Sequence, residues 1–307
     1  MAKQSYAIEN TPESRRSIGE AAFARTNANR HIYDSWIGTH DSAFVGDLSN
    51  PTINQVLSVE DQLTAGVRFL QSQTHMNIFD TFSMCHTDCM LNDAGPVKNY
   101  LSTVKKWMDS HPTDIITLLL TNGDFVDVSK FDDAFKGADL DKYAFVPDTT
   151  PDPLPMSDWP TLGELIASGK RLVVFTDYGA EVTKVPYVLN EFKYFFETPY
   201  NVTDPNFAQC KLDRPPNGSP DGQMYIMNHF LNDEVDDGLL GDIFSPDSDI
   251  QVPNTDKISQ TNAATGKGSV GAQVNLCTET YGRKPNLVLL NFFNKGDAFA
   301  AQDAMNF

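Results

Sequence analysis

The chain has 307 residues, with 41 acidic against 23 basic side chains and a net charge of −18; 40% of it is hydrophobic and 21% charged. That composition belongs to a globular protein, and its charge balance excludes a nucleic-acid footprint, which needs clustered Lys and Arg. It equally argues against electrostatic adsorption onto anionic lipid, and no apolar run is long enough to span a bilayer.

The first residues, MAKQSYAIENTPESRRSIGEAAFA, have no apolar core of the kind a signal peptide needs. Residues 1–30 are expected to form a polar leader to a single domain over 31–307. The first strand, HIYDSWIG (31–38), ends in Gly38-Thr39-His40-Asp41. The second, VRFLQSQTH (67–75), puts Val67, Phe69, Gln71, Gln73 and His75 on one face, which turns polar towards its end. The next apolar stretch closes on CHTDC, Cys85 to Cys89, with His86 inside it. GPVKNYLSTVKKWMDSHP spaces Val97, Leu101, Val104 and Met108 as a helix stopped at His111-Pro112.

Further strands are DIITLLLTN (114–122), ending in Asn122; RLVVFTDY (171–178), ending in Asp177-Tyr178; MYIMNHFL (224–231); and NLVLLNFF (286–293), which carries Asn291. In the penultimate one, Asn228 and His229 point to opposite faces. TLGELIASGK and YVLNEFKYFFET read as two more helices, and the Pro/Asp/Gly-rich segments 146–160 and 201–222 as long loops. Near-continuous apolar strands alternating with helices predict a parallel sheet covered on both faces, closed as a (β/α) barrel.

In a barrel the reactive groups stand at the C-terminal ends of the strands, and His40 and His86 end different strands there. A lone histidine at such a point is ordinarily structural; several at one end point to a site. Gln71 and Gln73 either contact a ligand or hydrogen-bond each other, and His31 and His111 read as surface residues. CHTDC has too few thiolates for structural zinc, so a small Cys85–Cys89 disulfide loop fixing His86 is expected, with Cys210 and Cys277 available for a second bridge. An even cysteine count fits an oxidising compartment, and Asn201-Val202-Thr203 is a glycosylation acceptor. Secretion is therefore expected over a cytoplasmic location, with any signal peptide outside this sequence. Gly-rich phosphate loops, G-x-S-x-G and H-E-x-x-H are all absent.

GTHDS (38–42), QLTAGVRFLQSQTH (62–75), CHTDC (85–89), DAGPVKNYLSTVKKWMDSHPTDIITLLLTN (93–122) and PNLVLLNFFN (285–294) together resemble the fungal phospholipase-C-like phosphodiesterases. These are related to the X domain of phosphatidylinositol-specific phospholipase C. The resemblance runs in order from about residue 31 to 300 and implies an α/β fold, a distorted TIM (β/α)8 barrel. It implies that His40 takes the proton from an inositol 2-hydroxyl and His86 protonates the leaving alkoxide, giving a cyclic phosphate. Asp41 would stand beside His40, Asn291 would orient it, and Gln71, Gln73, His75, Asn122, Asp177 and Tyr178 would contact substrate.

Two departures from the family pattern stand out. Gln71 and Gln73 replace an Asp and an Arg of bacterial relatives, or the calcium-binding carboxylates of animal ones, and Asn291 replaces an Asp. No metal and no cofactor is expected, and the partner is a phosphodiester or other small molecule. Two other readings keep the barrel: proton transfer, dehydration or cyclisation of an uncharged small molecule by the same histidines, or an inactive ligand-binding relative.

Overall fold

The computed structural model describes residues 34–148, 152–234 and 251–307; the expected 1–30 leader and His31 lie outside them. In chain order the first half comprises β1 (Trp36–Thr39), α1 (Val59–Thr64), β2 (Phe69–Met76), β3 (Phe82–Cys85), β4 (Asp93–Pro96), α2 (Val97–Ser110), β5 (Ile116–Asn122) and α3 (Ser129–Gly137). The second half continues with α4 (Leu162–Ser168), β6 (Leu172–Thr176), β7 (Val188–Asn190), α5 (Glu191–Tyr194), β8 (Phe195–Glu197) and β9 (Met224–Asn228). After these come β10 (Asn232–Glu234), β11 (Gln251–Pro253), α6 (Ile258–Thr261), α7 (Val270–Tyr281), β12 (Leu287–Leu290) and α8 (Ala298–Asn306).

Eight parallel strands run β7-β6-β5-β2-β1-β12-β9-β8 and curl into a barrel whose ladder is open between β7 and β8. β3 and β4 extend β2 as an antiparallel flap, which carries the chain to His86. The expected α/β barrel is thus present, in distorted form.

Strand periodicity sorts the core into two layers. Ile37, Leu70, Leu118, Leu120, Val174 and Val288 face outwards, onto α2, α3, α7 and α8. Trp36, Phe69, Leu119, Phe175, Ile226 and Leu289 face inwards and fill the barrel, with Trp159, Leu162 and Leu165 against them. α2 follows its sequence reading: Val97, Tyr100, Leu101, Val104, Trp107 and Met108 form one buried stripe. α4 is held by a Thr161/Glu164 capping box and closed by Gly169 in the left-handed conformation.

The segment 187–198, expected to be a helix, is instead strand, one helical turn and strand. Its Tyr-Val-Leu and Phe-Phe runs are β-formers too short for a stable helix, and the change turns Glu197 into an inward-facing residue of β8. His111 is half-buried, its ring stacked 3.7 Å from Trp107 while its Nδ1 meets the Trp107 carbonyl at 2.7 Å. It closes α2 instead of standing free on the surface. Both disulfides form, Cys85–Cys89 and Cys210–Cys277. The second pins the long β8–β9 excursion, residues 198–223, to α7.

Candidate active site

The inward residues of the strands change character towards the C-terminal end. Phe69 gives way to Gln71 and Gln73, Leu289 to Asn291, Ile226 to Asn228, Phe175 to Asp177 and Phe195 to Glu197. The barrel is therefore apolar at its floor and polar at its mouth. At β1 the same step is made by Gly38 and His40. Gly38 is required there, because a Cβ would lie 2.4 Å from the Phe69 ring.

Immediately after β1 the backbone turns. Asp41 takes a positive φ of 50°, which aspartate tolerates better than most side chains. Its amide donates to Gln71 Oε1 at 2.8 Å, and its carbonyl accepts from Phe44 N at 3.0 Å. Two buried glutamines satisfy the neighbouring carbonyls. Gln55 Nε2 donates to His40 O and Leu290 O, and Gln62 Nε2 to Ser42 O and Leu57 O. Removing Gln55 would strand His40 O, and removing Gln62 would strand Ser42 O, at about 1–3 kcal/mol each.

That turn drives the Asp41 carboxylate inwards, where it is fully buried. Its Oδ2 lies 3.3 Å from His40 Nε2 and 3.4 Å from His86 Nε2, and accepts from Gln73 Nε2 at 2.8 Å. Its Oδ1 has no hydrogen-bond partner among the described residues. One carboxylate thus joins both histidines, and each ring keeps an exposed edge, 16% for His40 and 15% for His86. His40 Nδ1 sits 2.9 Å from Asn291 Oδ1, which also accepts from Asn54 Nδ2, and the ring stacks on Phe230 at 3.7 Å. Asn291 Oδ1 at 2.9 Å favours a proton on Nδ1, leaving Nε2 as the basic nitrogen; the Asn54 amide stands farther from Nδ1, at 3.3 Å.

His86 is held differently. The disulfide closes the loop around it, its ring meets Phe44 edge-on at 5.0 Å, and Thr87 N donates to Gln73 Oε1 at 2.9 Å. Gln73 thereby clamps the His86 loop to Asp41. Gln71 and Gln73 do not bond each other; both are committed to Asp41 and its loop.

Burial dominates the electrostatics. It pushes His40 down to about 4, with the Asn291 bond opposing, and raises the Asp41 carboxyl, with His86 opposing. His86 is also lowered by burial, but the Asp41 charge pulls it back up. His40 is thus held neutral, while the acidic partner favours a charged His86.

Three residues that the sequence reading did not single out complete the mouth. Glu197 accepts from Arg214 through both Nε and Nη2, and from Asn228 Nδ2 at 3.2 Å. Arg214, from the β8–β9 excursion, lies 4.5 Å over the Tyr200 ring, and its charge reaches His40. Glu191 is buried beside them; burial and then the Glu197 charge push its carboxyl well above the usual range. Nothing in the sequence pattern flags these residues, because 187–198 reads as a helix and Arg214 stands in a proline-rich loop.

The remaining expected contact residues are spread out. Asp177 Oδ1 accepts from the Asn122 and Tyr178 amides at 2.7 and 2.8 Å. Asn122 spends its own side chain on Val126 and the Tyr178 carbonyl. His75 Nδ1 pairs with Asp124 at 2.8 Å, its ring lying over Gly123, where a Cβ would be 2.2 Å away. Tyr178 belongs to an aromatic arc, 5.3 Å from the exposed Phe125 and 5.7 Å from the half-buried Phe192. Among the described residues, one grouping of metal-type ligands occurs, Cys85, Cys89 and Asp93, and its sulfurs are consumed in the disulfide. No helix among them is long and apolar enough to cross a membrane.

The chain is similar to known proteins over nearly all its length. The family model described as PI-PLC X matches residues 29–306. A "PI-PLC X domain-containing protein 1" of Arthroderma benhamiae is 52% identical over 273 residues, covering 89% of this chain and 84% of that one. An "uncharacterized secreted protein" of the same fungus is 40% identical over 264 residues, 85% of this chain and 57% of its own length. Among solved structures, a mutant phosphatidylinositol-specific phospholipase C from Staphylococcus aureus superposes with a TM-score of 0.60 at 12% identity, covering 95% and 98% of the two chains. The phosphatidylinositol-specific phospholipase C of Listeria monocytogenes gives 0.50 at 15% identity, covering 92% and 96%. With the barrel, its two-histidine mouth and a family match along almost the whole sequence, this chain belongs to the PI-PLC X domain family.

Proposed function

We propose that the chain is a phospholipase-C-like phosphodiesterase that works by acid–base exchange between His40 and His86, without a metal ion. The observation that carries this reading is the convergence of two partly open imidazoles on one buried carboxylate. The chemistry needs two groups in opposite protonation states. His40, neutral and fixed by Asn291, is the base that takes a hydroxyl proton next to the phosphate. The hydroxyl oxygen then attacks phosphorus and the ester bond to the leaving alkoxide breaks. His86, whose charged form Asp41 favours, returns a proton to that alkoxide.

Arg214 is assigned the positive charge that the non-bridging oxygens require, with its Glu197 pair reserving it at the mouth. His75, backed by Asp124, is a second donor at the rim. The donor set supports a calcium-free reaction. Calcium sites are built from several carboxylates, whereas Gln71 and Gln73 are uncharged and each already accepts a backbone amide through its Oε1. A hydroxyl-rich headgroup suits the Glu191–Glu197–Arg214 wall, and the aromatic arc of Phe125, Tyr178 and Phe192 suits the apolar part of an amphiphile. Export is supported by the two disulfides and by the relative named as secreted.

The test is release of water-soluble phosphate from phosphatidylinositol vesicles in EDTA. Wild type is expected to release it and His40→Ala to lose this; a folded wild type that releases none contradicts the reading.

A further inference from the structure

The β8–β9 excursion carries a feature that the phosphodiester chemistry does not use. Two Asn-X-Ser/Thr acceptors occur in the 307 residues, Asn201-Val202-Thr203 and Asn217-Gly218-Ser219; a third match, Asn50-Pro51-Thr52, is blocked by its proline. Both acceptors fall on this one excursion, on either side of Arg214.

Their local structure presents them to solvent. Val202 is buried at 8% exposure against Phe207 and Leu231, while Asn201 and Thr203, its neighbours on either side, are exposed. The backbone of that segment is pinned: Asn232 N donates to Val202 O at 2.9 Å and Asn232 Nδ2 to Tyr200 O at 3.1 Å. The Asn201 side chain therefore points away from a fixed frame. Asn217 is the tip of a tight turn closed by Gly218 N to Pro215 O at 2.9 Å, with φ 63°, and both Asn217 and Ser219 are exposed. Among the described residues neither asparagine side chain takes a hydrogen-bond partner. The Cys210–Cys277 bridge holds the excursion between them to α7.

We infer that Asn201 and Asn217 are N-glycosylated, which makes the β8–β9 excursion a hydrated, sugar-covered face, with Asn201 on its stretch leaving the barrel mouth and Asn217 on its stretch returning, antiparallel to β8, towards the start of β9. A glycan is bulky and solubilising. Placed directly beyond Tyr200, the Asn201 glycan stops a bilayer from lying flat against this side of the mouth. Substrate then enters from the remaining rim. The inference rests on export and is independent of the reaction assigned to the histidines.

The test uses the full chain, exported by a yeast leader and purified from the medium, so that only molecules that crossed the secretory pathway are measured. Peptide-N-glycosidase treatment in heavy-oxygen water converts a glycosylated Asn into a labelled Asp, read by peptide mass spectrometry at 201 and 217. Intact mass is compared for wild type, Asn201→Gln and Asn217→Gln, and each substitution is expected to remove one glycan's mass. A label at both positions, together with that loss in each variant, supports the proposal. Unlabelled asparagine at either position, in secreted protein with both disulfides formed, overturns it.

Discussion

Replacing Asp41 with asparagine separates the role of its charge from that of its shape. The carboxamide keeps the volume, and its oxygen still accepts from Gln73 Nε2. What it loses is the charge 3.4 Å from His86 Nε2 and 3.3 Å from His40 Nε2. At 3.4 Å, with an effective dielectric of about 20, a carboxylate and an imidazolium attract by about 5 kcal/mol. That sets a ceiling of roughly 10³–10⁴ on the rate change. Because the carboxylate is shared with His40, the expected fall in kcat stays below that ceiling, at about 10²–10³. Stability should move the other way. The folded pKa of Asp41 is raised by burial above its ordinary 3.8, so the native state keeps a proton that the unfolded chain has already released, and ionising it at neutral pH costs stability. D41N removes that cost, so its Tm is expected at or above that of wild type. The assay is vesicle hydrolysis alongside thermal unfolding at pH 7. Activity within threefold of wild type in a folded variant would refute the assignment of Asp41 to His86.

Four further outcomes follow from the same geometry. His40 is held at about 4 against an ordinary 6.5, so the unfolded state binds the extra proton first and stability is lost as pH falls from about 6.5 towards 4. Urea midpoints of wild type should drop across that window and those of His40→Asn should drop less; equal slopes would contradict the assignment. Asn291→Asp places a carboxylate 2.9 Å from His40 Nδ1, which should raise the His40 pKa and move the acid limb of the kcat/KM profile to higher pH. Gln73→Ala cuts the tie between Asp41 and the His86 loop, and is expected to lower kcat about 10-fold or more with little change in KM; the reverse pattern would make Gln73 a substrate contact. Arg214→Met leaves Glu197 buried and unpaired, an expected loss of about 3–5 kcal/mol, whereas replacing both Arg214 and Glu197 with Met should recover much of that stability without recovering turnover.

How much of this was legible in the sequence depended on whether local pattern or chain reversal set the answer. The long strands β2, β5, β6 and β9 and the α2 stripe follow directly from period, and His40 and His86 follow from standing where apolar strands stop. Gln71 and Gln73 were legible as inward residues, but their partner was not. Asp41 reaches them only because its own φ is positive, and no periodicity predicts a single left-handed residue. Asn54 and Gln55 lie in an unpatterned loop and Gln62 on the short helix α1, and their work consists of satisfying polar groups brought there from elsewhere in the chain. Glu197 was hidden because short aromatic strands and an apolar helical face give similar compositions. Arg214 joins the site through an excursion whose path is fixed by a disulfide and by packing around Val202, both long-range effects.

The central claim, that His40 and His86 split a phosphodiester without metal, is tested most directly by phosphorus NMR of phosphatidylinositol cleavage in EDTA, followed in time for wild type and His40→Ala. A cyclic phosphodiester signal that grows with wild type and is missing with a folded His40→Ala is the predicted result. No phosphorus-containing product from folded wild type, or a cyclic product that persists at the same rate in the variant, would contradict it.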